Sequence, residues 1–265
     1  MPDSFDGSLW VDSPSLEDFA RAAHDAYDRG NDSLALEQVA AALSFDPLRP
    51  DLLHLLERTL ARHPSPEAAY RAHIAKRRFF GFFAAEAWAL ARAGSLGPAV
   101  ERLVQVACFR PELPYLRWVE RWMARPAGVR GVSVADVLPH LAKLRAVLAA
   151  RPLHDVRATT EAALRLTNRL RQERPNAAAD LVVVEAGLLI DLGYAEQAAS
   201  VLEPHEAEGS FGVLVELARA YRISEQWSAA ISCYERLLET TPDVRQTLVD
   251  LGDARLETGD WAGAR

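Results

Sequence analysis

Residues 214–243 read LVELARAYRISEQWSAAISCYERLLETTPD, and this stretch decides the fold. Leu214, Leu217, Ala218 and Tyr221 recur at intervals of three and four, which lines one face of a helix. A polar break, Ser224-Glu225-Gln226, follows; Trp227, Ala230 and Tyr234 then mark a second helix, and Pro242 stops it. The pattern returns 34 residues later as Leu248, Leu251, Gly252, Trp261 and Ala264 in place of Leu214, Leu217, Ala218, Trp227 and Ala230. Upstream, Ala198 in GYAEQAASVL precedes Ala230 by 32. Near the start, Phe19, Ala23, Gly30 and Ala35 reappear after 64 residues as Phe83, Ala87, Gly94 and Ala99, with Ala68 between them. A period in this range is the mark of a stacked-repeat protein.

Each repeat is a helical hairpin. Breaks fall at Gly30-Asn31, Gly94-Ser95, Gly193-Tyr194 and Gly259-Asp260, where glycine ends a helix in the left-handed conformation. Second helices stop at Asp46-Pro47, Arg110-Pro111 and Thr241-Pro242, and Ser65-Pro66-Glu67 supplies an N-cap, a first-turn proline and a first-turn acid. Two helices approach closely only over small residues, so Ala23, Ala35, Ala87, Ala99, Ala218 and Ala230 are the expected contact points. No stretch alternates as a strand does. A single hairpin leaves an apolar face wet and stacking covers it, so the expected class is an all-α superhelical solenoid of antiparallel hairpins.

Composition narrows the function. The 265 residues are 49% hydrophobic and 25% charged, ordinary for a folded chain. A net charge of −7 argues against a general nucleic-acid binder. Two cysteines, Cys108 and Cys233, build neither a disulfide framework nor a four-ligand zinc site, and both fall in helical patterns, where thiols are buried. The acidic start MPDSFDGSLWVDS is no secretory signal, and Leu181–Ile190, the longest apolar stretch, is too short to span a bilayer. The expected location is cytoplasmic. Only Lys76 and Lys143 are lysines, and arginine with abundant alanine reads as codon usage of a GC-rich genome.

The order of large residue, Leu-Ala or Leu-Gly, Tyr, Gly-Asp, aromatic, Ala and closing Pro resembles the tetratricopeptide repeat, in the manner of bacterial scaffold proteins. The resemblance is best over 214–243 and 248–264, good over 16–47, fair over 80–111 and weak over 49–79 and 180–208. The implied division is an extension (1–13), a first array (14–111), a degenerate junction (112–178) and a second array (179–265). The junction holds three helical patterns, PELPYLRWVERWMA, ADVLPHLAKLRAVLAA and LHDVRATTEAALRLTNRLRQE, an odd number between paired hairpins. At the far end the pattern stops inside a hairpin, leaving Leu248, Leu251 and Leu256 without expected cover, so the natural protein is expected to continue, or else this end to pair with another chain.

What the resemblance implies about function is a partner protein or peptide held in a concave groove lined by the first helix of each hairpin. The groove positions it points to are His24, Tyr27, Trp88, Arg92, Arg219 and Arg222, aromatic and arginine side chains being frequent anchors. Chaperone-binding members hold a terminal carboxylate with Lys and Asn there, whereas this chain has His24, Glu57 and Trp88. No catalytic motif, cofactor loop or metal-ligand spacing is present: the seven histidines form no HExxH, GVRG at 128–131 reads as a flexible loop, and His154-Asp155 reads as part of a helix start. Lys76, Arg77 and Arg78 run into Phe79-Phe80-Gly81-Phe82-Phe83, which is either a packed inter-hairpin turn at Gly81 or a basic, aromatic binding surface. The expected role is therefore an interaction scaffold or adaptor, without catalysis. The alternative is a regulatory or substrate-recruiting region of a larger enzyme, such as a glycosyltransferase or kinase, whose catalytic part follows residue 265.

Overall fold

The computed structural model describes residues 14–74, 80–123, 131–174, 178–241 and 245–264. Among them the regular structure is entirely helical, and the chain divides into two compact units that meet in sequence at Trp122 and Met123. The first unit contains α1 (Leu16–Asp28), α2 (Asp32–Ala42), α3 (Pro50–Ala61), α4 (Pro66–Ile74), α5 (Phe80–Arg92), α6 (Leu96–Phe109) and α7 (Arg117–Met123). The second contains α8 (Val134–Ala149), α9 (Leu153–Glu173), α10 (Ala178–Asp191), α11 (Ala195–Leu202), α12 (Phe211–Ile223), α13 (Trp227–Thr240) and α14 (Arg245–Glu257). Pairs α1/α2, α5/α6, α8/α9, α10/α11 and α12/α13 pack as hairpins, so the all-α hairpin architecture expected of the sequence is what forms.

One turn is used again and again. Gly30, Gly94, Gly193 and Gly259 have φ of 73°, 86°, 90° and 81°, and a fifth hairpin, which lacks glycine, places Glu225 at φ 58°. At each, the next residue's N–H reaches back five residues: Asn31 to the Ala26 carbonyl, Ser95 to Leu90, Tyr194 to Leu189, Gln226 to Tyr221 and Asp260 to Arg255, all at 2.8–2.9 Å. This is the Schellman closure, which satisfies carbonyls that the helix end leaves open. Five residues after each turn sits Ala35, Ala99, Ala198, Ala230 or Ala264, and twelve before that Ala23, Ala87, Ala186, Ala218 or Gly252. The alanines of the first four pairs are fully buried. Ala186 completes the expected set of contact points, and only its period identifies it.

Starts are fixed as locally as ends. Ser15 accepts from Asp18 N–H at 3.2 Å while its own N–H donates to the Asp18 carboxylate at 3.0 Å, a reciprocal capping box. Ser65 accepts from Ala68 N–H at 3.3 Å and Pro66 opens α4, as the sequence suggests.

Gly81 departs from its expected role. It lies in the first turn of α5 and not in a bend: its N–H donates to Ser44 Oγ at 2.9 Å, and a Cβ there would collide with the Ala40 carbonyl. Glycine is needed because α5 rests directly on the end of α2. The preceding Lys76, Arg77, Arg78 and Phe79 lie outside the described residues, as do Pro242 and residues 128–130 of GVRG. Tyr70 O–H donates to the Phe82 carbonyl and ties α4 to α5.

The three helical patterns between 112 and 178 form α7, α8 and α9, and of these α7 stands outside the hairpins. Side chains anchor it: Tyr115 O–H donates to the Leu43 carbonyl at 2.9 Å, and Trp118 Nε1–H to that of Pro47 at 2.8 Å. In the second unit, one continuous core runs from Val182 on α10 to Ala254 on α14. Leu251 belongs to it, correcting the expectation that it stands uncovered, because α14 turns that side chain onto α13. Leu248 and Leu256 are exposed, together with Trp261.

Candidate functional site

Two of the residues expected to line a groove are buried. Trp88 is 8% exposed, with its ring 4.8 Å from that of Trp118 in an edge contact and 5.9 Å from that of Trp122. It belongs to the core because α7 folds back over α5. Tyr27, also 8% exposed, is covered by two arginines of α3 and its C-cap: the Arg62 guanidinium lies 3.6 Å from the ring centre and that of Arg58 4.6 Å. Both rings join elements within the first unit. His24 is exposed on α1 at 3.9 Å from Asp51, and Arg92 is exposed in the last turn of α5 with no ion pair among the described residues. Beside His24, Arg49 forks onto Glu17 at 2.5 and 3.1 Å and reaches Asp51 at 3.0 Å. That hydrogen bonding holds the Glu17 carboxyl below its ordinary range.

In the second unit Arg219 is committed to a ring of charges. Arg145 on α8 donates to both oxygens of Glu216 on α12, at 2.5 and 3.1 Å. Arg219, also on α12, donates to Asp191 Oδ1 at the end of α10 at 2.7 Å and stands 3.5 Å from Glu216 Oε2. The circle closes where Arg145 Nε faces Asp191 Oδ2 at 3.5 Å. Signs alternate around the ring, so its four charges cancel, and the guanidinium forks match the carboxylates. Room comes from Gly187: a Cβ there would collide with Arg145 Nε. Arg219 is thus first a tie between helices, and Arg222, exposed one turn on without an ion pair among the described residues, remains the freer cation.

Two cavities that share Ile223 make up a groove in the second unit, and Asp191 and Arg219 of the ring line the first of them. A cavity of about 270 Å³ is bounded by Leu148, Arg151 and Leu153 at the α8–α9 corner and by Ile190, Asp191, Arg219 and Ile223 across from it. A second of about 290 Å³ lies between Ile223 and the α10–α11 turn at Gly193 and Tyr194. Ile223 borders both, at 48% exposure, and Tyr194 is 45% exposed. The groove brings Arg219 into play together with Arg151, Ile223 and Tyr194, which sequence reasoning missed. One signal was available: Gly187 inside an apolar helix, four residues before a lone Asp191, marks a close approach. Nothing in the sequence places Arg151 against the end of α12.

Cys108 and Cys233 are buried, and burial pushes the Cys233 thiol up to about 11, away from a reactive thiolate. Among the described residues no group of three or more His, Cys, Asp or Glu side chains is placed to hold a metal, and no helix is long and apolar enough to cross a membrane.

No family model matches the chain, and no curated protein does. Among solved structures it is similar to a thermophilic TPR protein of Thermus thermophilus, at 17% identity and a TM-score of 0.39 over 91% of this chain and 100% of that one. It is also similar to a tetratricopeptide repeat protein from Parabacteroides merdae, at 16% identity and 0.34 over 91% and 99%. Human IFIT1, solved as a dimer with m7Gppp-AAAA, follows at 15% identity and 0.38 over 94% and 66%. The architecture of the present chain rests on its own helices, caps and repeated alanine pairs.

Proposed function

We propose that this chain is a protein-interaction module that holds a segment of a partner protein against preordered helical hairpins. The observation that carries the reading is the groove of the second unit, where Ile223 and Tyr194 stand half exposed beside two cavities of side-chain size. Apolar side chains so placed gain by being covered, at about 25 cal/mol per Å² removed from water. The helices beneath are fixed by the charge ring and by Schellman turns, so a partner segment orders itself against a surface that does not have to reorganise. Arg222 adds a cation one residue from Ile223, and Arg92 and His24 are the remaining exposed candidates, on the first unit.

The test is a selection of displayed random peptides on the full chain, with Ile223→Glu as the counter-screen. Ile223 is exposed enough for the change to leave the fold intact, which circular dichroism checks. Convergence on a motif whose affinity drops at least about tenfold on the variant, roughly 1.4 kcal/mol, supports the reading. Failure to converge, or clones indifferent to Ile223→Glu, overturns it.

A further inference from the structure

We infer that the cavity at the α8–α9 corner is a subsite for a side-chain carboxylate, taking an Asp or Glu that neighbours an aliphatic residue of the bound segment. The inference rests on the protein-binding reading above and specifies its ligand. Of the charges on the cavity wall, Arg219 and Asp191 neutralise each other at 2.7 Å within the ring. Arg151 is left over. It lines the cavity, is exposed, and makes no ion pair or side-chain hydrogen bond among the described residues. The wall therefore carries one surplus positive charge in a chain whose net charge is −7. Next to Arg151, α9 begins at Leu153 with Pro152 as its N-cap and no capping side chain; Asp155 in its first turn offsets the positive helix end but does not line the cavity, so Arg151 is the cation that the cavity wall has to spare.

The other walls say what accompanies the charge. Leu148, Leu153, Ile190 and Ile223 are aliphatic, and about 270 Å³ holds one medium side chain with its charged neighbour. A single free cation suits a monoanion. A phosphate group, at −1.5 to −2, would exceed the single surplus charge that Arg151 supplies. The two cavities share Ile223 on their borders, so a segment seated in the first has the second beside it, which fits an internal side chain better than a chain terminus.

Two libraries of octapeptides, N-acetylated and C-amidated, test this. One carries a fixed Leu-Glu pair at its centre and the other Leu-Gln, and both are immobilised and probed with the full-length chain. A third set ends in a free leucine carboxylate. The expected result is about tenfold greater retention on Leu-Glu, the size of one charge-assisted hydrogen bond. That excess is lost with Arg151→Gln, reversed with Arg151→Glu, and reduced by raising salt from 50 to about 500 mM. Equal retention on Leu-Glu and Leu-Gln, with Ile223→Glu still abolishing binding, overturns the carboxylate subsite and leaves the protein-binding reading standing. A preference that survives Arg151→Gln, or stronger retention on the free-terminus set, also overturns the subsite. No retention on any set overturns both.

Discussion

At Glu225 the chain does with a charged residue what it does elsewhere with glycine. The four glycine turns and this one share the left-handed conformation and the same five-residue hydrogen bond back into the helix. For a residue with a Cβ that conformation costs roughly 1–2 kcal/mol, partly offset because glycine is freer when unfolded. Glu225 is exposed, and no hydrogen bond or ion pair holds its side chain among the described residues. Glu225→Gly is therefore expected to stabilise the protein by about 0.5–1 kcal/mol, read as a higher urea midpoint at unchanged slope. An unchanged or lower midpoint would show that the turn is not strained. The same position shows why glycines mislead as well as inform. Gly30 and Gly94 are legible because they follow apolar helical periods and precede a buried alanine. Gly81, set among four phenylalanines, looks the same in sequence but serves the approach of one helix to another, which depends on Ala40 and Ser44, some forty residues away.

Between elements, the ring around Gly187 is the feature that joins three helices by polar groups instead of alanine contacts. Gly187→Ala would push a methyl group into the Arg145 guanidinium and displace it from Glu216. Asp191 would keep its 2.7 Å bond from Arg219, but the buried Glu216 would be left with only the 3.5 Å approach of Arg219, so a loss of about 1–3 kcal/mol is expected. A double-mutant cycle separates this from the general effect of alanine in a helix. In an Arg145→Ala background, Gly187→Ala should cost nothing or help slightly, since alanine is the better helix former. The same penalty in both backgrounds would remove Arg145 from the account. Much of the candidate site was illegible in advance for the reason this cycle exposes. Arg219 and Trp88 have the composition of binding anchors, yet their roles are set by what lies across from them, Asp191 and Glu216 in one case and Trp118 in the other. Periodicity reports the face of a helix and is silent about which neighbour covers it.

At the scale of the molecule, the repeat was the legible part, because hairpin caps and alanine pairs are local and recur at a fixed spacing. Where the periodic pattern lapses, around α7, tryptophans and side-chain hydrogen bonds to backbone carbonyls take over the packing, and the pattern could only mark an irregularity. The second unit's core also holds ionisable groups that tie its stability to pH. Burial pushes Cys233 up to about 11, and Tyr221 and Tyr234 up to about 12, with nearby carboxylates adding to the shift. Unfolding returns these groups to ordinary values, near 8.5 for a thiol and 10 for a phenol. The unfolded chain then loses its protons first as pH rises, so stability present at neutral pH drains away on the alkaline side. The urea midpoint is expected to hold level from pH 7 to about 8.5, fall as Cys233 comes into play up to about 11, and fall more steeply once the tyrosines join between about 10 and 12. Cys233→Ala should lower the midpoint at every pH by leaving a small void, yet make it fall less steeply than in the native chain until about pH 10, where the tyrosines of the unfolded chain begin to ionise. The slope between pH 8.5 and 10, and not the absolute midpoint, carries the result, and parallel curves for the two proteins would mean that the thiol is not held in the apolar core.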